Sequence, residues 1–298
     1  PAALVQTPEP INKFPEFVRH IVKRLKVLCP SMGKKRIAQM LAWTGLKLGT
    51  TTIGRILKTQ PLVPTDNLSR PNIHKSKQVV TADYPNHVWH LDLTVVPTQS
   101  GFWCSWFPFS LPQTWPFCWW VAVVIDHFSR KAVGFAVFMN QPSSLEIRSF
   151  LFRMMRQNKG KPRHLITDRG KQFDCKAFRK WCRSKKIRWR YGAVGHYGSI
   201  AVVERFILSL KSEHLRRILI PLRLDEFRET LRQYFLWYNE CRVHQALSGK
   251  TPENIYSGKP CLRISYETRG KKGINLNLIV SSLSGRRTLP VIELKPAA

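Results

Sequence analysis

The sequence predicts an α/β protein built on a mixed sheet, preceded by short helices and followed by short β segments. Three observations support this prediction. In the central region, apolar runs of strand length come first and then alternate with segments of helical periodicity, as expected for a mixed sheet flanked by helices. Four prolines between residues 59 and 85 indicate an extended linker over residues 61–85, which separates an N-terminal domain, residues 1–60. After Pro260 the pattern changes to short β segments.

Three short helices are predicted in the N-terminal domain. Apolar residues recur at helical spacing over residues 13–28, over 31–43 and again from Thr50 to about Lys58, with a glycine-containing turn before the last helix. This arrangement resembles a helix-turn-helix, whose later helix enters the major groove of DNA. Four residues of that helix would then face DNA: Thr50, Thr51, Thr52 and Arg55. A plain three-helix bundle, with the threonines as helix caps, is the alternative.

The central region, residues 86–258, supplies the predicted sheet. One strand contains Asp92, and two apolar runs around a short polar turn predict a hairpin over residues 121–137. Further strands are predicted at residues 163–167 and 187–191. Helices are predicted at residues 143–157, 174–184, 199–217 and 224–240.

The segment from Pro97 to Ile125 contains no charged residue and imitates a membrane span. Prolines at four-residue spacing interrupt it, at positions 108, 112 and 116, and a spanning helix of about 20 apolar residues tolerates them poorly. We therefore predict a loop or hairpin and no membrane partner. Its dense Trp and Phe residues would pack a protomer interface, stack on distorted DNA, or pack on their own domain.

The C-terminal region, residues 259–298, is predicted to be a small basic β module. Residues 263–268 form one predicted strand, and residues 276–282 and 288–294 form a hairpin around a turn at Ser284 and Gly285. A flexible β tail is the alternative.

The charge of the chain predicts a polyanionic partner. There are 49 Lys and Arg residues against 18 Asp and Glu residues, a net charge of +31, and the excess is +9 in residues 1–60, +16 in 61–258 and +6 in 259–298. DNA or RNA is the leading candidate, and a basic ribosome-associated protein is the alternative. Seven cysteines without a Cys-x-x-Cys pair disfavour a disulfide framework or a zinc knuckle and favour a reducing cytosol.

Three carboxylates stand in contexts that make them candidates for chemistry. Asp92 lies within an apolar strand, Asp168 follows another, and Glu204 lies inside a helical pattern. An acid at such a position is costly to bury unless it is paired or coordinates a metal. In a basic domain, three of them predict a site for hard divalent cations acting on nucleic-acid phosphate.

The order and spacing of these acids resemble the D,D-35-E pattern of the retroviral-integrase and insertion-sequence transposase superfamily. Between Asp168 and Glu204 lie 35 residues, and between Asp92 and Asp168 lie 75. Further matching segments cover about residues 86–258: Trp89–Thr94, Val124–Arg130, Thr167–Phe173, Glu204–Phe206, Leu210–Glu213 and Tyr238–Glu253.

The resemblance implies an RNase H-like fold, a five-stranded mixed sheet flanked by helices. Asp92 would lie on the first strand, Asp168 at the end of the fourth and Glu204 on a following helix. It also implies a DNA transposase or integrase that cuts transposon ends and joins the 3′-OH to target DNA. The three acids would be catalytic and would hold two Mg²⁺ or Mn²⁺ ions per active site, because two such ions can grip both the attacking and the leaving oxygen.

The resemblance also implies partners. These are the terminal inverted repeats, the target DNA and further copies of the chain, because two ends must be held together. The absence of a His-His-Cys-Cys zinc module ahead of the core favours a bacterial transposase, in the cytoplasm and associated with the nucleoid. Two rivals stay open: a non-catalytic protein that occupies transposon ends, and a ribonuclease H acting on RNA–DNA hybrid.

Four further residues receive roles. Lys211 lies seven residues after Glu204, nearly two helical turns, so it shares the catalytic face and matches a family lysine that holds DNA phosphate. Lys171, in the matching segment after Asp168, is assigned to DNA as well. Asp126 lies in the hairpin turn and is predicted to cap backbone N–H groups. Ser199 is predicted to cap the helix that carries Glu204.

Overall fold

The structure, a computed structural model, describes residues 16–30, 32–58, 80–98, 113–192, 200–259, 276–286 and 288–296. The chain forms two compact units. One contains the N-terminal helices and most of two C-terminal strands, and the other contains the central sheet together with residues 282–289. The four-part division of the sequence stays a prediction.

The N-terminal unit contains the three predicted helices: α1 (Glu16–Leu28), α2 (Lys34–Trp43) and α3 (Thr50–Lys58). Each contacts the other two, and their apolar faces form a common core that includes Ile21, Leu41 and Ile53. The turn between α2 and α3 contains Gly45 at φ +100°, a left-handed conformation that glycine adopts without strain. The helices are confirmed, and DNA reading by α3 stays a prediction.

The central unit contains the predicted five-stranded sheet, in the order β3-β2-β1-β4-β5. Its strands are β1 (Val88–Pro97), β2 (Cys118–Asp126), β3 (Ala132–Phe138), β4 (His164–Thr167) and β5 (Arg188–Tyr191). The first three are antiparallel, whereas β4 pairs in parallel with β1 and with β5. The mixed sheet is therefore confirmed, with the long apolar strands at its centre.

Helices α4 (Ser144–Gln157) and α5 (Lys176–Ser184) cover one face of the sheet. Ser143 and Glu146 form a capping box that starts α4, since each side chain accepts from the other residue's backbone N–H. The core on this face contains Trp89 and Leu91 of β1 together with Phe150 and Phe178 of the two helices. Alternation along β1 therefore sends Asp92 to the opposite face.

Helices α6 (Ala201–Glu213) and α7 (Leu224–Glu240) cover that opposite face. Helix α6 packs on β1 and β2, and α7 packs on β3. Two aromatic pairs join α7 to the sheet: Trp119 with Phe227 at 5.8 Å between ring centroids, and Phe135 with Phe235 at 4.8 Å. The strand carrying Asp92 thus lies under the helix carrying Glu204.

The described part of the aromatic insert packs on its own domain. The indole N–H of Trp119 donates to Pro221 O at 2.9 Å, and that of Trp115 donates to Leu222 O at 3.3 Å. Residues 99–112 of the insert lie outside the described residues. Within the described ranges, no helix is long and apolar enough to cross a bilayer.

The structure differs from the predicted secondary structure in three places. Helix α6 spans Ala201–Glu213 with Ile200 at its N-cap, which provides no side-chain cap, whereas the sequence predicted a helix over residues 199–217; Ser199 lies outside the described residues. A short helix, α8 (Pro252–Ser257), was not predicted. The C-terminal strands β6 (Leu276–Ser282) and β7 (Pro290–Pro296) pair as predicted, with β7 starting two residues late, and residues 263–268 lie outside the described residues.

Candidate active site

Asp92 and Asp168 are brought together by the register of two parallel strands. Leu91 of β1 pairs with Thr167, the last residue of β4, so the next residue is an aspartate in both cases: Asp92 within β1 and Asp168 directly after β4. Paired positions of neighbouring strands share a face, and their Cα atoms are separated by about 5 Å. Both side chains are half-buried. The two aspartates predicted from the sequence therefore lie side by side on the α6 face of the sheet.

Helix α6 carries Glu204, which is exposed, and Lys211, which is half-buried. Glu204 lies in its first turn, and Lys211 lies in its last turn. The charges of both act on Asp92, as does the charge of Asp168. The half-buried ammonium of Lys211 has its pKa lowered by burial and by Arg216, while Asp92 raises it. One acid from each of three elements and a lysine therefore share one electrostatic environment.

Asp92 is the most perturbed of these carboxyl groups. Burial is the main cause that raises the pKa of Asp92 from 3.8 to about 6, and the negative charges of Asp168 and Glu204 raise it further. The N–H of Leu93, which donates to Asp92 Oδ1 at 2.8 Å, and the charge of Lys211 act in the opposite direction. Two like charges beside a desolvated carboxyl favour an opposite charge between them.

A divalent cation is the group that this charge arrangement would accept. Carboxylate oxygens are the ligands that Mg²⁺ and Mn²⁺ prefer. The ligand type and the charge therefore fit such a cation. As the side chains stand, however, no three His, Cys, Asp or Glu residues in the described part of the chain lie close enough to enclose a metal ion.

Asp126 has the structural role that its position predicted. It is fully buried, and Oδ1 accepts from the N–H of Asn86 at 2.8 Å. Oδ2 accepts from the N–H and the hydroxyl of Ser129, at 2.8 and 2.6 Å. Burial raises the pKa of Asp126, and these donors oppose the rise. Because its oxygens accept these three hydrogen bonds, the carboxyl is held by the turn and not offered to a ligand.

A buried histidine pair beside the site was missed from the sequence. His90 Nε2 lies 2.7 Å from His127 Nδ1, and neither ring is exposed to a significant extent. Burial lowers the pKa of His90 to about 3 and that of His127 to about 4, with the charge of Arg130 as a further cause, so both rings are neutral at pH 7. Period-two alternation was the available signal, since it places His90 and Asp92 on one face of β1.

The structure does not group the other predicted DNA contacts with these acids. Lys171 is exposed in the turn that follows β4. Thr50, Thr51 and Arg55 are exposed on α3, and Thr52 is half-buried there. Lys58, which the sequence did not single out, continues the exposed row of Thr51 and Arg55 at i+7. Roles for all of these residues stay predictions.

Comparison with known proteins identifies a family for the region that contains the central sheet. A family model for the integrase core domain matches residues 82–196, and a second model of the same description matches residues 185–252. The transposase for insertion sequence element IS904 of Lactococcus lactis subsp. lactis (strain IL1403) is 25% identical over 236 residues, which cover 75% of this chain and 86% of the relative.

A shorter match is to transposase InsF for insertion sequence IS3A of Escherichia coli (strain K12), which is 28% identical over 177 residues. That match covers 58% of this chain and spans about half, 55%, of InsF. Among solved structures, the intasome of simian T-cell lymphotropic virus, in complex with PP2A regulatory subunit B56 gamma, aligns with 92% of this chain and 87% of its own, at 19% identity and a TM-score of 0.50. This likeness supports the RNase H-like fold.

Proposed function

The chain belongs to the DDE-type transposase and integrase superfamily, and on that premise we propose that it is a transposase that cuts transposon ends and joins them to target DNA. Membership implies polynucleotidyl transfer as the reaction class. In the first step of the proposed reaction, water attacks a phosphodiester bond at the transposon end, and the bond breaks to leave a free 3′-OH. That 3′-OH then attacks a phosphodiester of the target, and the displaced 3′ oxygen leaves.

The observation that carries the proposal is the convergence of Asp92, Asp168 and Glu204 beside Lys211. The register of β1 and β4 aligns the two aspartates, and the charges of Glu204 and Lys211 both act on Asp92. A non-catalytic protein that only occupies transposon ends would have no use for two further acids whose charges act on the carboxyl of Asp92. Such an arrangement is costly in the absence of a cation.

Asp92, Asp168 and Glu204 would hold Mg²⁺ or Mn²⁺, two ions per active site. When bound, such ions polarise the phosphate and lower the pKa of the attacking oxygen. Lys211 would hold a phosphate oxygen of the DNA next to the scissile bond. His90 and His127, which are neutral and buried, would support the strand under Asp92 without adding charge.

The DNA partners in this proposal are the terminal inverted repeats and the target. The exposed residues of α3 would contact the repeats, and Lys171 would contact the backbone near Asp168. Because two ends must be cut and joined together, the chain would act as a homo-oligomer on DNA, associated with the nucleoid of a bacterium.

The first prediction tests the three acids in one assay. Asp92→Asn, Asp168→Asn and Glu204→Gln should each lower strand transfer in Mg²⁺ by at least a thousandfold, because each removes a cation ligand but keeps the side-chain shape. Binding to labelled terminal-repeat DNA should change less than threefold. The measurement is joining of a labelled 3′-OH end to a plasmid.

Asp225→Asn is the matched control, because Asp225 is an exposed acid in the first turn of α7. It should join at the wild-type rate. Normal joining by any of the three active-site variants would remove that acid from the mechanism. Wild-type protein that binds ends but never joins them would favour the non-catalytic alternative, and cleavage of RNA–DNA hybrid without joining would favour a ribonuclease H.

A further inference from the structure

We propose that the exposed face of β5, formed by Arg188 and Arg190 with His164 of β4 beside them, binds the phosphate backbone of DNA that leaves the active site. We call these three residues the basic sheet face. This inference rests on the proposed function, because it extends the path of the same DNA. Its ligand is a DNA phosphate, and the test below separates transposon-end DNA from target DNA.

The strand register places the basic sheet face and the acids on one side of the sheet. Arg188 pairs with His164, and Arg190 pairs with Ile166, which pairs in turn with His90 of β1. Two positions further along β1 and β4 are Asp92 and Asp168. Because alternate residues of a strand point to the same face, the arginines lie on the face that carries the two aspartates.

Side-chain contacts on the other side of β5 confirm this orientation. Trp189 packs edge-on against Phe178 of α5, at 5.7 Å between ring centroids, and Tyr191 packs against Trp189 at 4.5 Å. The intervening residues, Arg188 and Arg190, therefore point away from α5. Both are exposed, whereas α6 and α7 cover β1, β2 and β3 on that same side.

The charge of this surface is positive. No ion pair forms between Arg188 or Arg190 and any acid in the described part of the chain. After burial, the charges of Arg190, His87, Arg163 and Arg188 all lower the pKa of His164. His87, whose ring centroid lies 5.5 Å from that of His164, pairs with the exposed Asp83 at 3.4 Å. The surroundings of His164 on β4 are therefore dominated by positive charge.

The dimensions match the spacing of phosphates. With a strand separation of about 4.8 Å and a rise of about 3.3 Å per residue, the Cα atoms of Arg190 and Arg188 lie about 8 and 14 Å from that of Asp168. Phosphates of one DNA strand advance about 3.4 Å per nucleotide along the helix axis. Where this row of residues runs along the helix axis, the arginines would meet phosphates roughly two to four nucleotides from the one at the acids.

Arginine is suited to this task because its guanidinium can bind a phosphate in bidentate fashion. A basic surface that serves only solubility would give the same net charge but no discrete phosphate contacts. The two possibilities differ in the salt dependence of DNA binding. Each phosphate contact changes the slope of log K against log salt by about 0.9.

The test compares two double variants with the same loss of charge. Arg188→Gln with Arg190→Gln removes the proposed contacts, and Lys176→Gln with Lys180→Gln removes two exposed charges from α5, on the other side of the sheet. Binding of the full chain is measured by fluorescence anisotropy in Ca²⁺, between about 50 and 200 mM salt, with a terminal-repeat duplex and with an unrelated duplex. In this range the arginine variant should lose about 1.8 from the slope, for two contacts.

Each outcome decides the proposal. A shallower slope for the arginine variant on either duplex supports the contact. On the terminal-repeat duplex alone it assigns the face to the transposon end, on the unrelated duplex alone to the target, and on both duplexes to backbone contacts that the two DNAs share. The proposal would be overturned if the slopes on both duplexes were equal for the wild type, the Arg188→Gln/Arg190→Gln variant and the Lys176→Gln/Lys180→Gln variant. Arg188→Lys with Arg190→Lys keeps both charges and should keep most of the slope, which separates lost contacts from misfolding.

Failure of this inference and failure of the proposed function are distinguishable, because binding in Ca²⁺ does not depend on joining. Wild-type protein that joins DNA while all the slopes agree would remove the basic sheet face and leave the transposase assignment. If the wild type never joins DNA but the arginine variant shows the altered slope, the basic sheet face would stand and the transposase assignment would be removed.

Discussion

At the residue scale, the buried Asp126 and the half-buried Asp92 show how the same side chain can be structural or chemical. Asp126 accepts three hydrogen bonds, from Asn86 and twice from Ser129. Among the described residues, Asp92 accepts one, from its neighbour Leu93. A carboxyl with its lone pairs occupied closes a turn, whereas one left open beside two other acids is available to a cation.

The pKa of Asp92 provides a test of convergence that does not depend on activity. In EDTA, we expect the carboxyl to titrate near pH 6, where the free side chain would titrate near 3.8. Glu204→Gln should lower this pKa, because it removes a like charge, and Lys211→Met should raise it, because it removes an opposite charge. The measurement is carbon NMR of protein labelled at aspartate.

Asp225→Asn is again the control and should leave the Asp92 titration unchanged, since Asp225 lies exposed on α7. A pKa near 3.8, or one that does not respond to Glu204→Gln, would contradict the convergence of the acids. The direction of the pKa shift of Asp92 also determines how cation binding depends on pH. Because a cation must displace the proton, affinity for Mg²⁺ should fall as pH drops through about 6.

At the element scale, α6 is the helix that determines the site, and a buried ion pair fixes its end. Glu213, the last residue of α6, accepts from Arg242 through both carboxylate oxygens, each at 2.9 Å. Arg242 also donates to Ser209 of the same helix at 3.2 Å. Burial opposes the charged guanidinium, yet Glu213 raises the pKa of Arg242 above its ordinary range.

Breaking this pair should destabilise the central unit strongly. Arg242→Ala leaves the carboxylate of Glu213 buried without its main partner, so the free energy of unfolding should fall by about 3–5 kcal/mol. The control is Arg232→Ala, which breaks an exposed pair with Glu229 on α7 and should cost at most about 1 kcal/mol. Both are measured by urea denaturation.

A double variant refines the interpretation. Arg242→Met with Glu213→Leu replaces both charges by apolar groups and should recover much of the lost stability, since neither charge is left unpaired. Equal small losses for Arg242→Ala and Arg232→Ala would show that the buried pair does not hold α6.

Local patterns predicted most of these elements, and long-range contacts account for what was missed. The bounds of α3 and α7 were predicted to the residue, because hydrophobic periodicity is a local property. The pairing of Arg242 with Glu213 joins residues 29 apart, and that of His90 with His127 joins residues 37 apart. Neither leaves a local signature. Asp126 was interpreted correctly because its partner Ser129 lies in the same turn.

The sequence context singles out the candidate acids but does not specify the distances between their carboxyl groups. Asp92, Asp168 and Glu204 follow from the sequence context, and register and helix packing bring them together. The start of α6 was placed two residues early, since local propensity favours Ser199 as a cap, whereas the helix begins after Ile200. How closely the three carboxyl groups approach depends on this packing, which no sequence pattern specifies.

At the scale of the whole molecule, we expect net charge to determine the affinity for DNA and a few exposed side chains to determine which sequences are preferred. The net charge of +31 is present in every region of the chain, so affinity for any DNA should be high and strongly salt-dependent. Discrimination between sequences needs contacts with base edges, which only a few side chains can make. In the N-terminal unit, the exposed row of Thr51, Arg55 and Lys58 on α3 is the candidate.

This division predicts that α3 sets sequence preference while the basic sheet face sets general affinity. Arg55→Gln should reduce the ratio of affinities for terminal-repeat and unrelated DNA by roughly 5- to 150-fold, since a bidentate base contact is worth about 1–3 kcal/mol. Arg24→Gln, at an exposed position of α1, should leave that ratio unchanged, and so should Arg188→Gln if it touches both DNAs. Competition binding at fixed salt gives the ratio for each variant. If Arg55→Gln weakens binding to both DNAs equally, α3 contacts backbone alone, and the three helices form a bundle that does not read sequence.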